Sequence, residues 1–165
     1  NEYTRKEIWD YNSMIFYDTL YERHVYQIFS VFITTATVDG KLDLTAVDMI
    51  VIPGGLGGVA SIRANKEAMD IVRFAYENGK FTAAICAGPT VLADLGITDG
   101  KKATCYPGCE TGMGNANMVA AAAVRDGKLI TGTSAGCAIP FGLALIAALK
   151  GEEKAKEVEK QIVIR

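Results

Sequence analysis

Hydrophobic residues in this chain form short unbroken runs that alternate with longer segments of helical spacing. Asp48–Pro53 is one such run, an apolar strand that ends in Pro53-Gly54-Gly55. From Lys66 to Glu77 the apolar stripe is Met69, Val72, Ala75 and Tyr76, which predicts a helix with Asn65 as N-cap and a stop at Asn78-Gly79. Phe81–Cys86 reads as the next strand and Gly88–Leu95 as the helix behind it, closed by Gly96. A short strand over Ala103–Tyr106 ends at Pro107-Gly108, and Val124–Ile130 holds two strands around Asp126-Gly127, a strong hairpin signal. Ile139–Leu149 is nearly all apolar, which predicts a buried helix, whereas the Glu/Lys run of Glu152–Gln161 predicts a helix with a solvated face. Apolar strands alternating with helices predict a mostly parallel sheet covered on both sides.

The first 47 residues carry weaker signals. Met14–Asp18 reads as a first strand, followed by a helix from about Tyr21, and the β-branched and aromatic run Ile28–Thr37 as a further strand. No repeat, linker or low-complexity segment divides the 165 residues, so a single domain over 1–165 is expected. Half the residues are hydrophobic and the net charge is −2, which excludes a disordered chain. No basic stripe with interleaved aromatics is present, which argues against nucleic acid as a partner. The longest apolar stretch, Cys137–Leu149, is shorter than the roughly 20 residues a membrane span needs and contains Pro140 and Gly142. Asn1–Arg5 does not resemble a signal peptide. The four cysteines match no zinc spacing and read as reduced thiols, so a cytoplasmic protein without a metal is expected.

Among these cysteines Cys86 stands apart. It lies where an apolar strand breaks into Ala87-Gly88-Pro89, with proline tolerated because first-turn amides lack an intrahelical partner. A cysteine on such a strand-to-helix elbow has small neighbours that admit a substrate, and free helix amides that favour a thiolate. The alternative is a small buried core cysteine, the common fate of an isolated one. Gly54 and Gly55 end a parallel strand and should emerge on the same sheet edge, where ligands of open α/β sheets bind. Their amides, with that of Ala87, could hold a reacting oxygen, and a tight turn is a compatible use of the same glycines.

Three motifs in order, Val51–Gly55, Ala83–Thr90 and Gly100–Gly108, resemble the ThiJ/PfpI superfamily, in the branch of the parkinsonism-associated protein deglycase. The resemblance runs from about Asp48 to the C-terminus and is poor upstream. It implies a flavodoxin-like three-layer sandwich with Cys86 as the reactive residue, a homodimer, and no metal or organic cofactor. The implied activity is glutathione-independent glyoxalase or deglycase chemistry on small 2-oxoaldehydes and their adducts. In the family a carboxylate from the first strand-helix turn contacts the cysteine. Aligning Tyr17–Val25 with that turn puts His24, the only histidine, at the carboxylate position and Glu22 two residues earlier. Either could serve as the proton carrier, or both could be a solvated pair on a helix start. Tyr106 stands where the family often has histidine, and its phenol can donate a hydrogen bond to a substrate oxygen. A histidine upstream of the cysteine excludes class I glutamine amidotransferases, which need one downstream. Loss of the family carboxylate and histidine supports an alternative, a non-catalytic oxidative-stress sensor or chaperone using an oxidisable Cys86.

Overall fold

The computed structural model describes residues 37–38, 41–42 and 44–162. Within them the apolar runs form strands of one four-stranded sheet. Met49–Ile52 (β3) pairs in parallel with Phe81–Ile85 (β4), and β4 with Leu129–Gly132 (β8); Ala123–Asp126 (β7) completes the edge in antiparallel sense. Two two-stranded pairs stand apart from it: Thr37–Val38 (β1) with Lys41–Leu42 (β2), and Lys102–Ala103 (β5) with Asn117–Met118 (β6). The helices are Leu56–Ala64 (α1), Lys66–Glu77 (α2), Pro89–Asp94 (α3), Ala138–Lys150 (α4) and Glu152–Gln161 (α5).

Strand alternation divides the core between the two faces of this sheet. Ile50, Ile52, Ala84 and Leu129 meet Val59 and Ile62 of α1, Val72 of α2 and Leu92 of α3 on one face. Met49, Phe81, Ala83 and Ile130 meet Phe141 and Leu145 of α4 on the other. Because both faces are covered, β4 is buried at four successive residues, Phe81 to Ala84, and its sequence shows no polar alternation. The result is the flavodoxin-like α/β sandwich, with helices on both sides of a mostly parallel sheet.

The helix over Lys66–Glu77 has the expected bounds, and the Asn65 side chain accepts a hydrogen bond from the Ala68 amide at 3.1 Å. Helix α1 was not legible from the pattern. Gly57 and Gly58 disfavour a helix, and it forms because Val59 and Ile62 are buried against α2 and the sheet. The hairpin loop is Gly127-Lys128, with Asp126 still paired to Leu129, because Gly127 supplies the positive φ of 60° at the first loop position. The strand expected over Ala103–Tyr106 shrinks to Lys102–Ala103, since the chain then turns toward Cys86. Helix α4 is not buried all round. Phe141, Gly142 and Leu145 face the sheet, while Ile139 is 41% exposed. The strand expected at Met14–Asp18, the helix from Tyr21 and residues 28–36 of the next strand lie outside the described residues.

Phe141 is fully buried and joins α4 to β4 and β8. Phe141→Ala is expected to cost about 3–5 kcal/mol, read as a lower urea midpoint. An unchanged midpoint would mean that the α4 face contributes nothing to the fold.

Candidate active site

Cys86 follows β4 directly and has φ of 65°, the one positive φ at a non-glycine among the described residues. A left-handed L-residue costs roughly 1–2 kcal/mol, so its surroundings must hold it there. Two backbone hydrogen bonds do so: the Cys86 amide donates to Gly132 O at 3.0 Å, and the Tyr106 amide donates to Cys86 O at 2.8 Å. The Gly88 amide closes the turn on Ile85 O at 3.0 Å.

Glycines make the elbow possible by leaving space at three places. A Cβ on Gly54 would stand 2.4 Å from Cys86 Cβ and 3.0 Å from its Sγ, so the end of β3 can lie against the thiol only without a side chain. A Cβ on Gly88 would meet Ile52 O at 2.8 Å and Pro53 O at 2.9 Å, carbonyls that cannot move aside. One on Gly132 would meet Ile85 Cγ1 and Phe141 Cδ2, each at 2.9 Å. Gly55 has open space around it but a φ of 91°, which itself requires glycine.

The amides of Gly54, Gly55 and Ala87 have no backbone or side-chain acceptor among the described residues. All three belong to the two strand ends that meet at the thiol. Cys86 is half-buried and its sulfur has no hydrogen-bond partner among the described residues. Tyr106, whose main chain touches Cys86, is 48% exposed. Glu22 and His24 lie outside the described residues. Helix α3 is shorter than the expected Gly88–Leu95, running six residues from Pro89. No group of three His, Cys, Asp or Glu side chains is placed to hold a metal ion among the described residues.

Cys105, one residue before Tyr106, is buried, and its Sγ lies 3.5 Å from Tyr106 O. Burial pushes its thiol up from 9.0 to about 11, with smaller electrostatic contributions from Glu110, Cys109 and Cys86. It is therefore a neutral thiol at physiological pH.

Three threonines tie the Tyr106 segment to the sheet, a link that sequence reasoning, which noted only that the Thr133 loop offers a hydroxyl, did not find. The Thr104 amide donates to Thr131 Oγ1 at 2.9 Å, Thr104 Oγ1 lies 2.8 Å from Thr133 Oγ1, and Thr133 Oγ1 donates to Ala121 O at 2.5 Å. The partners are 27 and 29 residues apart in sequence, so no local pattern marked the pairing.

A model of the DJ-1/PfpI family matches residues 25–148, about three quarters of the chain. The chain belongs to the DJ-1/PfpI family. It is 38% identical over 119 residues to the protein dj-1beta of Drosophila melanogaster, covering 71% of this chain and 64% of the relative. It is 37% identical over 100 residues to a Pyrococcus horikoshii protein named deglycase, covering 55% of this chain and 60% of that one. The chain thus spans less than two thirds of either relative's length. The crystal structure of Drosophila melanogaster DJ-1beta superposes with a TM-score of 0.68, over 72% of this chain and 65% of that chain. An oxidized Toxoplasma gondii DJ-1, 30% identical, superposes with a TM-score of 0.67 over 74% and 71%. The family match begins well upstream of Asp48, where the motif-level resemblance starts, but leaves Glu22 and His24 outside it. No described helix is long and apolar enough to cross a membrane.

The raised Cys105 thiol makes a prediction about alkaline stability. Below about pH 9 both the folded and unfolded thiols carry the proton, so its contribution to stability is constant. Between about pH 9 and about 11 only the unfolded thiol ionises, so stability falls as pH rises. Cys105→Ala should lose less stability than wild type between about pH 8 and pH 10.5, compared by urea midpoints. Equal losses in the two proteins would show that Cys105 does not titrate differently on folding.

Proposed function

We propose that the chain is a cysteine-dependent glyoxalase or deglycase that acts on small 2-oxoaldehydes, or on their thiol and amine adducts, without glutathione. The observation that carries this reading is the unpartnered Cys86 sulfur against Gly54, with the Gly54, Gly55 and Ala87 amides free of acceptors. A relative named deglycase supports it.

In the proposed reaction the Cys86 thiolate attacks the aldehyde carbon, and the carbonyl oxygen becomes an oxyanion held by the Gly54, Gly55 and Ala87 amides. Protonation of that oxygen gives a hemithioacetal. A base removes the proton from the former aldehyde carbon and the neighbouring ketone carbon receives one, which leaves a 2-hydroxy thioester. Water then attacks the thioester, releasing the 2-hydroxy acid and the Cys86 thiol. Each step uses protons and water alone, so the scheme requires no metal or organic cofactor. His24 or Glu22 is assigned the base role from sequence, and the Tyr106 phenol the donation of a hydrogen bond to substrate. The reading extends to one domain over the chain, assembled as a homodimer. Its place would be the cytoplasm, where thiols such as its four cysteines stay reduced.

A second reading, a sensor or chaperone that works through oxidation of Cys86, is favoured by one observation. No described acid or base meets the sulfur, while the same free amides could stabilise a sulfinate.

Turnover of methylglyoxal should disappear in Cys86→Ser. If His24 is the base, the rate rises through roughly pH 6 to 7 and drops about 10²–10⁴-fold in His24→Ala, while Glu22→Gln keeps most of it. The reverse pattern in the two variants assigns the base to Glu22. Turnover that survives Cys86→Ser overturns the enzymatic reading. Wild-type protein that does not turn over but gains two oxygens at Cys86 under mild peroxide selects the sensor.

A further inference from the structure

Both backbone handles of Cys86 lead to one tripeptide, Thr131–Thr133, at the end of β8. Its amide is held by the carbonyl of Gly132. Its carbonyl is held by the amide of Tyr106, and the segment bearing Tyr106 is fastened to the residues on either side of Gly132, namely Thr131 and Thr133. This fastening is made by side chains because β5 pairs with β6 in a separate two-stranded sheet rather than with β8. Across the gap the Asp126 carboxylate accepts from the Lys102 amide at 2.8 Å, and the Thr131 hydroxyl accepts from the Thr104 amide.

The proton order in the remaining link is fixed by counting. Each hydroxyl has one proton, and Thr133 gives its own to Ala121 O, so the proton between the two hydroxyls comes from Thr104. Thr104 to Thr133 to Ala121 is thus a directed chain, in which each bond polarises the next. Thr131 is fully buried and Thr104 nearly so, which leaves no bulk water to replace a lost partner. A valine of the same shape at residue 131 would orphan a buried amide.

We propose that Thr131 and Thr133 are positioning residues of the Cys86 site. Through Thr104 they set the Tyr106 amide on the Cys86 carbonyl and so hold the thiol's main chain at positive φ over Gly54. Neither hydroxyl touches the sulfur; each acts through the 104–106 segment. The proposal rests on the reading of Cys86 as a reactive thiol.

Its test uses Thr131→Val, Thr133→Val and the two serine counterparts in the full chain. The rate of iodoacetamide alkylation at Cys86 is followed by mass spectrometry across about pH 6 to 9, beside the urea midpoint of each variant. The valine variants should alkylate Cys86 about ten-fold more slowly at neutral pH, the scale of one lost buried hydrogen bond, and the serine variants should restore the rate. Should Thr131→Val fail to fold, Thr133→Val at a half-buried position carries the same comparison. Valine variants that lower the midpoint but keep the wild-type rate and pH profile would make these threonines structural only, and overturn the proposal. Serine variants as slow as the valine ones would overturn it too, since the hydroxyl would not be the cause. If wild-type Cys86 reacts no faster than Cys109 or Cys137, the reactive-thiol reading itself fails and takes the proposal with it.

Discussion

A side chain at residue 54 would stand 2.4 Å from the Cys86 Cβ, so the ends of β3 and β4 can lie this close only while that residue is glycine. The contact presupposes a parallel pair in the register that sets Ile52 beside Ala84, because only then do both strands end at the same sheet edge. It also presupposes the sharp turn at Cys86, since an extended residue there would carry β4 past Gly54 instead of folding back. Gly88 extends the constraint to α3, which starts against the carbonyls of Ile52 and Pro53 with no room for a Cβ. Gly132 extends it to the opposite face, where Ile85 and the Phe141 ring of α4 close over the residue that holds the Cys86 amide. A strained residue persists because three elements of the fold meet at it, and each meets it through a glycine.

Gly54, Gly88 and the cysteine were legible in the sequence because they are local, whereas Gly132 was not, since its role depends on β8 lying beside β4. Each strand end is written in a few consecutive residues, and the Asn65 cap and the stripe of α2 lie within one helix. The features that escaped are of two kinds. Helix α1 has a local sequence that argues against it, and its glycines are overridden by burial of Val59 and Ile62, a tertiary effect. The threonine links span 27 and 29 residues of sequence, and their meaning depends on which strands are neighbours. The extent of α4 burial was misjudged for a related reason. Composition alone says that a helix is apolar, but not how much of its circumference another element covers.

The proton carrier is the part of the site that falls outside the described residues. Both candidates, Glu22 and His24, precede the first family-matched residue and lie outside the described residues, so their assignment rests on chain order and chemistry. The acceptor-free amides do not share this dependence. Gly54 and Gly55 follow β3, and Ala87 follows the elbow, so they are fixed by the same contact that fixes the thiol.

The 104–106 segment brings a second thiol into this neighbourhood, and the fold treats the two differently. Cys105 points into the core cluster shared by α1, α2 and α3, where burial is the first cause of its raised value of about 11. Cys86, half-buried at the sheet edge, is the smallest contributor among the neighbours that raise it further. Burial thus keeps Cys105 a neutral thiol at neutral pH. The packing that pins the Tyr106 segment therefore also sorts the two thiols: the buried cysteine anchors the segment as a small apolar group, and the half-buried one stands at the sheet edge beside the acceptor-free amides.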